Sequence, residues 1–130
     1  MAREAPTLYP SLRYRDAPAA IDWLKTAFGF EELAVHPGED GTIAHAELSF
    51  GPSILMLGSE KDDQYGSHVG QGWLYVAVED PDAHCERARA AGAEIVRDLG
   101  DTDYGSRDYA ARDPEGNLWS FGTYRPAAET

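Results

Sequence analysis

The chain has 130 residues, 42% of them hydrophobic, and a formal net charge of −12. That length holds one domain with a sizeable core, or two half-domains that share one. The acidity argues against non-specific nucleic-acid binding, keeps the protein soluble and favours a cationic ligand at long range.

The opening Met1-Ala2-Arg3-Glu4-Ala5-Pro6 lacks the apolar core of a signal peptide. Leu8 to Arg15 reads as a strand, with Leu12 and Tyr14 on one face and Tyr9, Ser11 and Arg13 on the other. Asp16 caps a helix with Pro18 in its first turn. Ala17, Ile21, Leu24 and Phe28 form its buried stripe, and Gly29 ends it. Phe30 to His36 is a second strand, followed by the turn cluster Pro37-Gly38-Glu39-Asp40-Gly41. Thr42 to Phe50 alternates, with Ala44, Ala46, Leu48 and Phe50 inward and His45, Glu47 and Ser49 outward. Gly51-Pro52 turns the chain into a strand from Ser53 to Leu57. Residues 59–72 are polar and glycine-bearing and read as a linker that can lie over a site.

Trp73 to Glu79 opens the second half, with Trp73, Tyr75 and Ala77 on one face and Leu74, Val76 and Val78 on the other. Asp80-Pro81 starts a helix whose stripe is Cys85, Ala88 and Ala91, and Gly92 stops it. Glu94 to Leu99 is a strand, and Gly100 to Ser106 is a loop carrying Tyr104. Arg107 to Arg112 and Asn117 to Tyr124 form a hairpin around Asp113-Pro114-Glu115-Gly116, and Pro126 to Thr130 reads as a frayed tail. No apolar run approaches the roughly 20 residues that cross a bilayer, so no membrane partner is expected. The single cysteine rules out an internal disulfide and fits a reducing cytoplasm, the expected location.

Read this way, the chain is written twice. Asp16-Ala17-Pro18 answers Asp80-Pro81-Asp82, and Ala27-Phe28-Gly29-Phe30-Glu31 answers Ala91-Gly92-Ala93-Glu94. Each half runs strand, helix, strand, strand, strand. One half is too small for a good core, so the two must pack together, and a ligand site is expected between them. The expected organisation is a first module at 7–58, a linker at 59–72 and a second module at 73–125, together one α+β domain.

This pattern resembles the vicinal oxygen chelate superfamily, the glyoxalase/bleomycin resistance/dioxygenase group. The resemblance rests on Asp16 to Glu31, Asp80 to Glu94 and the hairpin Asp113-Pro114-Glu115-Gly116-Asn117-Leu118-Trp119-Ser120-Phe121. It implies two βαβββ modules with curved mixed sheets around a cavity, and commonly a homodimer. It also implies four metal-ligand positions, which fall here on Tyr9, Met56, Trp73 and Ser120. A thioether, an indole and neutral hydroxyls are poor ligands for the metals such sites use. Moving one strand over in the first module substitutes Glu47, a single carboxylate. The chain is therefore most similar to the metal-free, bleomycin-resistance-like branch. It shares that branch's acidic charge, an aromatic at Trp73 before an Asp-Pro-Asp-Ala helix start, and the Arg112-Asp113-Pro114-Glu115-Gly116-Asn117 turn.

The expected ligand is a small organic molecule, cationic or aromatic, sequestered as antibiotic-resistance proteins sequester theirs. The expected contacts are Tyr9, Arg13, His45, Glu47, Met56, Trp73, Tyr75 and Ser120, with no metal and no cofactor. Tyr9, Trp73 and Tyr75 either wall a cavity or plug it as core. His45 and Glu47 lie two apart on one face, as a hydrogen-bonded polar pair or as an acid–base pair. Arg13 can pair with Glu47 or with a ligand carboxylate. Tyr65 and Tyr104 are candidates for the cavity mouth. Trp23, Trp119 and Phe121 read as core, and Cys85 as a small packing residue. The glycines at 66, 70 and 72 lack the phosphate-loop lysine. The alternative function is a lyase or isomerase, with a relocated metal or a metal-free acid–base site at His45 and Glu47. A third is a protein with a filled cavity that acts through its dimer surface.

Overall fold

Two aspartates begin the two halves of the fold by the same chemistry. The Asp16 carboxylate accepts the Ala19 N–H at 3.1 Å, and the Asp80 carboxylate accepts the Ala83 N–H at 3.1 Å. Each satisfies a donor that the first helical turn leaves orphaned, and each is followed by a proline, which has no N–H to lose. The computed structural model describes residues 6–127. The opening Met1 to Ala5 and the last three residues of the expected tail lie outside the described residues.

The first module comprises β1 (Ser11–Tyr14), α1 (Ala17–Trp23), a wide π turn (Leu24–Phe28), β2 (Glu31–Pro37), β3 (Ile43–Phe50) and β4 (Ser53–Ser59). The second comprises β5 (Trp73–Ala77), α2 (Pro81–Ala90), β6 (Glu94–Asp101), β7 (Arg107–Arg112) and β8 (Leu118–Gly122). The sheets have the orders β1-β4-β3-β2 and β5-β8-β7-β6, each with its first strand parallel to its last. The doubled grammar of the sequence is thus a doubled topology, and α+β is the fold class.

Some bounds differ from the expected ones. β1 begins at Ser11 because Pro10 offers no donor to the ladder, so Tyr9 precedes the strand. In β3, Ile43 is buried and Ala44 exposed. The register skips Ala44 between the His36–His45 and Pro37–Ile43 pairs, and this bulge reverses the inward face.

One core joins the modules. Ala17, Ile21, Leu24 and Phe28 are all buried, as their spacing predicts. Gly29 closes the helical segment at φ 85°, a left-handed turn that suits glycine. The Phe28 ring lies 4.6 Å from Phe121 and 5.4 Å from Trp119 of the second module. Trp119 and Phe121 are core, as expected, whereas Trp23 is only partly buried and packs edge-on against Phe28, with ring centroids 4.8 Å apart. Arg87 of α2 donates to the Thr26 and Lys25 carbonyls at 2.8 and 3.0 Å, covering the negative end of the first helix.

Two polar links cross the same boundary. His84 Nε2 donates to the Phe28 carbonyl at 2.8 Å, which leaves Nδ1 to accept the Tyr109 hydroxyl at 2.6 Å. Burial lowers the His84 pKa, with a smaller contribution from Arg87. The second link is Asp113, which is only 5% exposed. Its carboxylate accepts the Tyr14 hydroxyl at 2.6 Å, Asn117 Nδ2 at 3.0 Å, Trp119 Nε1 at 3.1 Å, and the backbone N–H groups of Glu115 and Asn117 at 3.0 and 3.1 Å. The neighbouring Glu115 carboxylate accepts the Arg15 and Asp16 N–H groups. The hairpin turn of the second module is therefore bolted to the end of β1.

Asp113→Ala leaves three buried side-chain donors without an acceptor, and we expect a loss of about 3 kcal/mol in urea unfolding. For His84 the folded pKa lies below the unfolded value of about 6.5. Its contribution is therefore complete above that pH and disappears as pH falls toward the folded value. The wild type should lose stability faster than His84→Gln between about pH 6.5 and 5, by at most about 1.4 kcal/mol per pH unit. Thermal melts across that range read the difference.

Candidate ligand-binding cleft

Alternation turns one face of each sheet to the shared core and the other away from it. In the second sheet, Leu74, Trp119, Tyr109 and Ala111 face the core, while Trp73, Ser120, Ala110 and Asp108 share the outer side. Over that side lies an open cleft of about 690 Å³, walled by Trp73, Tyr75 and the loop carrying Tyr104. Trp73 is 74% exposed, and its indole N–H donates to Ser120 Oγ at 3.3 Å. The Tyr75 hydroxyl donates to the Tyr124 carbonyl at 2.6 Å, and its partial burial raises its pKa. Tyr104 meets the Tyr124 ring edge-on, with centroids 6.0 Å apart.

At the floor is Asp108, 8% exposed. It pairs with Arg97, and Tyr104 reaches its other oxygen at 3.4 Å. Gly122 makes room for this corner. A Cβ there would stand 2.6 Å from the Asp108 Cβ and 2.9 Å from the Tyr75 hydroxyl. Arg107 holds the rim by donating to both oxygens of Asp82, at 2.8 and 3.0 Å, and to Asp101 at 3.1 Å.

Of the eight expected contacts, Trp73, Tyr75 and Ser120 line this cleft; Tyr9, Arg13, His45, Glu47 and Met56 do not. Those five belong to the first module, where Met56 stands in register between Ser11 and Glu47. His45 Nε2 lies 3.0 Å from a Glu47 carboxylate oxygen, and the His36 ring stacks on His45. His36 is a strand residue of β2, as the expected strand Phe30 to His36 has it. Arg13 pairs with Asp63 of the linker and not with Glu47. Its guanidinium grips Asp63 through two hydrogen bonds of 2.9 and 2.8 Å and also donates to the Gly66 carbonyl at 2.8 Å. That guanidinium, beside it, lowers the Asp63 pKa to about 2. The linker is thereby fastened to β1, with Tyr65 under the guanidinium, 6.0 Å from ring centroid to Cζ.

Arg97 is the cleft residue that strand counting misses; Asp108 alternates regularly with Ala110 along β7 and pairs with Arg97 only in the fold. A period of two puts Arg97 on the same side as Ile95. In the ladder, Ile95 opposes Ala111 but Arg97 opposes Ala110, so one extra residue rotates Arg97 to the outer face. The available signal is a charged side chain at a position whose phase says core.

The four positions implied for a metal do not suit one. Trp73 and Ser120 already satisfy each other as donor and acceptor, and Met56 offers a thioether. No group of three or more His, Cys, Asp or Glu side chains converges on a cation site among the described residues.

The sequence model of the Glyoxalase/Bleomycin resistance protein/Dioxygenase superfamily matches residues 7–121. This chain belongs to that superfamily. An uncharacterized protein of Mycobacterium bovis is 35% identical over 125 residues, spanning 90% of this chain and 82% of its own. The crystal structure of TioX from Micromonospora sp. ML1 superposes with a TM-score of 0.80 and 38% identity, covering 91% of this chain and 98% of TioX. A glyoxalase I mutant from Zea mays shares the fold at a TM-score of 0.73 and 21% identity, over 92% of this chain and 44% of the maize chain. The family's paired modules are thus present in full, with outer faces that differ in chemistry: aromatic and acidic on the second module, His–Glu and Arg–Asp on the first.

Arg13→Ala should free the linker. We expect trypsin to cut at Lys61 about tenfold faster than in the wild type under native conditions, because local opening then costs less.

Proposed function

We propose that this protein binds a small organic molecule, without a metal, in the cleft walled by Trp73 and Tyr75, and that its activity is sequestration. The observation that carries the reading is the solvent-facing Trp73 above a cleft of about 690 Å³ whose floor holds a buried carboxylate. A large aromatic left in water beside convergent polar groups is the composition of a ligand site. As core plugs, Trp73 and Tyr75 would be buried; at 74% and 41% exposure they are not. A planar ligand can stack on them without disturbing the core, which lies on the other side of the sheet.

The reading includes a homodimer. The outer face of the first module carries Arg13, His45, Glu47 and Met56, and it too points away from the shared core. A second copy related by a twofold axis can lay that face over the open cleft of its partner. The ligand would then lie between the aromatic wall of one chain and the polar face of the other. This arrangement restores to one site the eight residues that a single chain keeps on two sheets. Resistance to an antibiotic-like or toxic compound is the role such tight, non-catalytic binding serves, in a soluble cytoplasmic protein.

The His45–Glu47 contact favours a second reading, an acid–base site for lyase or isomerase chemistry on the first module. Turnover of a bound compound that disappears in His45→Ala would establish it over sequestration.

Trp73→Ala should weaken binding of aromatic compounds by about tenfold or more, since stacking anchors dominate such sites. Calorimetry with a panel of aromatic antibiotics checks this; unchanged affinity refutes the placement of the site. Sedimentation should give a dimer at micromolar concentration, and a monomer would remove the two-chain site.

A further inference from the structure

On the small-molecule reading of the cleft above, the Arg97–Asp108 pair bears on which molecules it admits. The carboxylate of Asp108 is almost wholly withdrawn from water, yet its charge is balanced by a side chain that is half exposed. A buried carboxylate needs a cationic partner, because desolvation without one is costly. Nothing requires that partner to be Arg97. The arginine reaches in from the rim on a long, flexible stem, from a strand bulged on both sides of it. Its further contact with the Asp108 carbonyl, at 3.4 Å, is long. The other hydrogen bond to the carboxylate, from Tyr104, is also long at 3.4 Å. Apart from the close Arg97 pair, Asp108 receives only these long contacts from its own chain, so a single exchangeable cation balances it.

The rest of the cleft fits the same chemistry. Trp73, Tyr75 and Tyr104 offer aromatic faces and edges around the carboxylate, and a flat cation is attracted to them. Asp103 adds negative charge at the mouth. The other arginine nearby, Arg107, is committed to Asp82 and Asp101 and supplies no free positive charge. An anionic ligand would have only Arg97 to meet, and would have to separate it from Asp108 to do so, leaving that carboxylate buried and unpaired. A cationic ligand replaces Arg97 like for like. The displaced guanidinium swings outward into water beside an acidic protein.

We infer that the cleft selects planar aromatic ligands bearing an amidinium, guanidinium or protonated amine, which displaces Arg97 from Asp108. Asp108 is then the specificity-determining residue, and Arg97 is a built-in competitor that sets the affinity threshold.

Three probes of one shape test this: 2-naphthamidine, which is cationic, 2-naphthamide, which is neutral, and 2-naphthoate, which is anionic. Each is titrated calorimetrically into the full chain, to millimolar probe. We expect the amidine to bind at least about tenfold more tightly than the amide, with the naphthoate weakest. Asp108→Asn should bring the amidine and amide to within about threefold of each other, while Arg97→Gln should tighten the amidine about threefold or more. A preference for naphthoate, an amidine preference that survives Asp108→Asn, or weaker amidine binding in Arg97→Gln would overturn the inference while leaving the cleft a binding site. Failure of all three probes to bind would instead overturn the small-molecule reading itself, and this inference with it. If Asp108→Asn does not fold, Arg97→Gln decides alone: the half-exposed Arg97 side chain lies outside the shared core, and a cooperative thermal melt shows the variant folded before titration.

Discussion

The fold depends on a carboxylate that has no access to water. Asp113 sits in the turn between β7 and β8 and accepts five hydrogen bonds, from that turn, from Trp119 of the core and from Tyr14 of the first module. Such a group is tolerable only when every lone pair is used. Its demands therefore set the position of everything around it. The Tyr14 hydroxyl brings β1 to the second module, and burial beside this negative charge raises the Tyr14 pKa far above its ordinary value. Gly70 and Gly72 let the linker run against the same turn. A Cβ at Gly70 would stand 2.5 Å from the Glu115 carbonyl oxygen, and one at Gly72 would stand 2.7 Å from Leu12.

From that junction the shared core follows. Neither four-stranded sheet covers its own inner face, and the two helices are short. Phe28, Trp119 and Phe121 interlock between the modules, and His84 and Arg87 neutralise the carbonyls where the first helix ends. The functional consequence is one of direction. Because the inner faces are spent on each other, the outer faces are free, and each carries its own chemistry. The aromatic, acidic cleft and the His45–Glu47 and Arg13–Asp63 pairs face away from the core on different sheets.

Local signals were legible in the residues. Asp16 and Asp80 as caps, Gly29 and Gly92 as stops, the Ala17–Ile21–Leu24–Phe28 stripe and the outward Trp73 and Tyr75 all rest on chemistry within one or two turns of chain. Signals that depend on an irregularity were not. The extra residue near Arg97 reverses its face, and the skipped Ala44 does the same at the start of β3. Period-two counting assumes an unbroken ladder and a bulge breaks it; at Arg97 the trace left in the sequence is a charge on the core phase, and at Ala44 there is none. Long-range polar partners were equally hidden. Arg13 meets Asp63 in the linker, fifty residues away, and His84 meets Phe28 across the module boundary.

The sequence by itself determined the doubled βαβββ plan, the superfamily and the poor fit of Tyr9, Met56, Trp73 and Ser120 to a metal. The doubled plan follows from residue type and spacing; the superfamily and the four metal-ligand positions are what the resemblance of those residues implies. Only the tertiary structure decided that the two candidate faces lie on separate sheets, that Arg97 sits over Asp108, and that Asp113 joins the modules. The reason is physical: alternation assigns a side chain to a face, but the burial of one face against another module decides what remains open to a ligand.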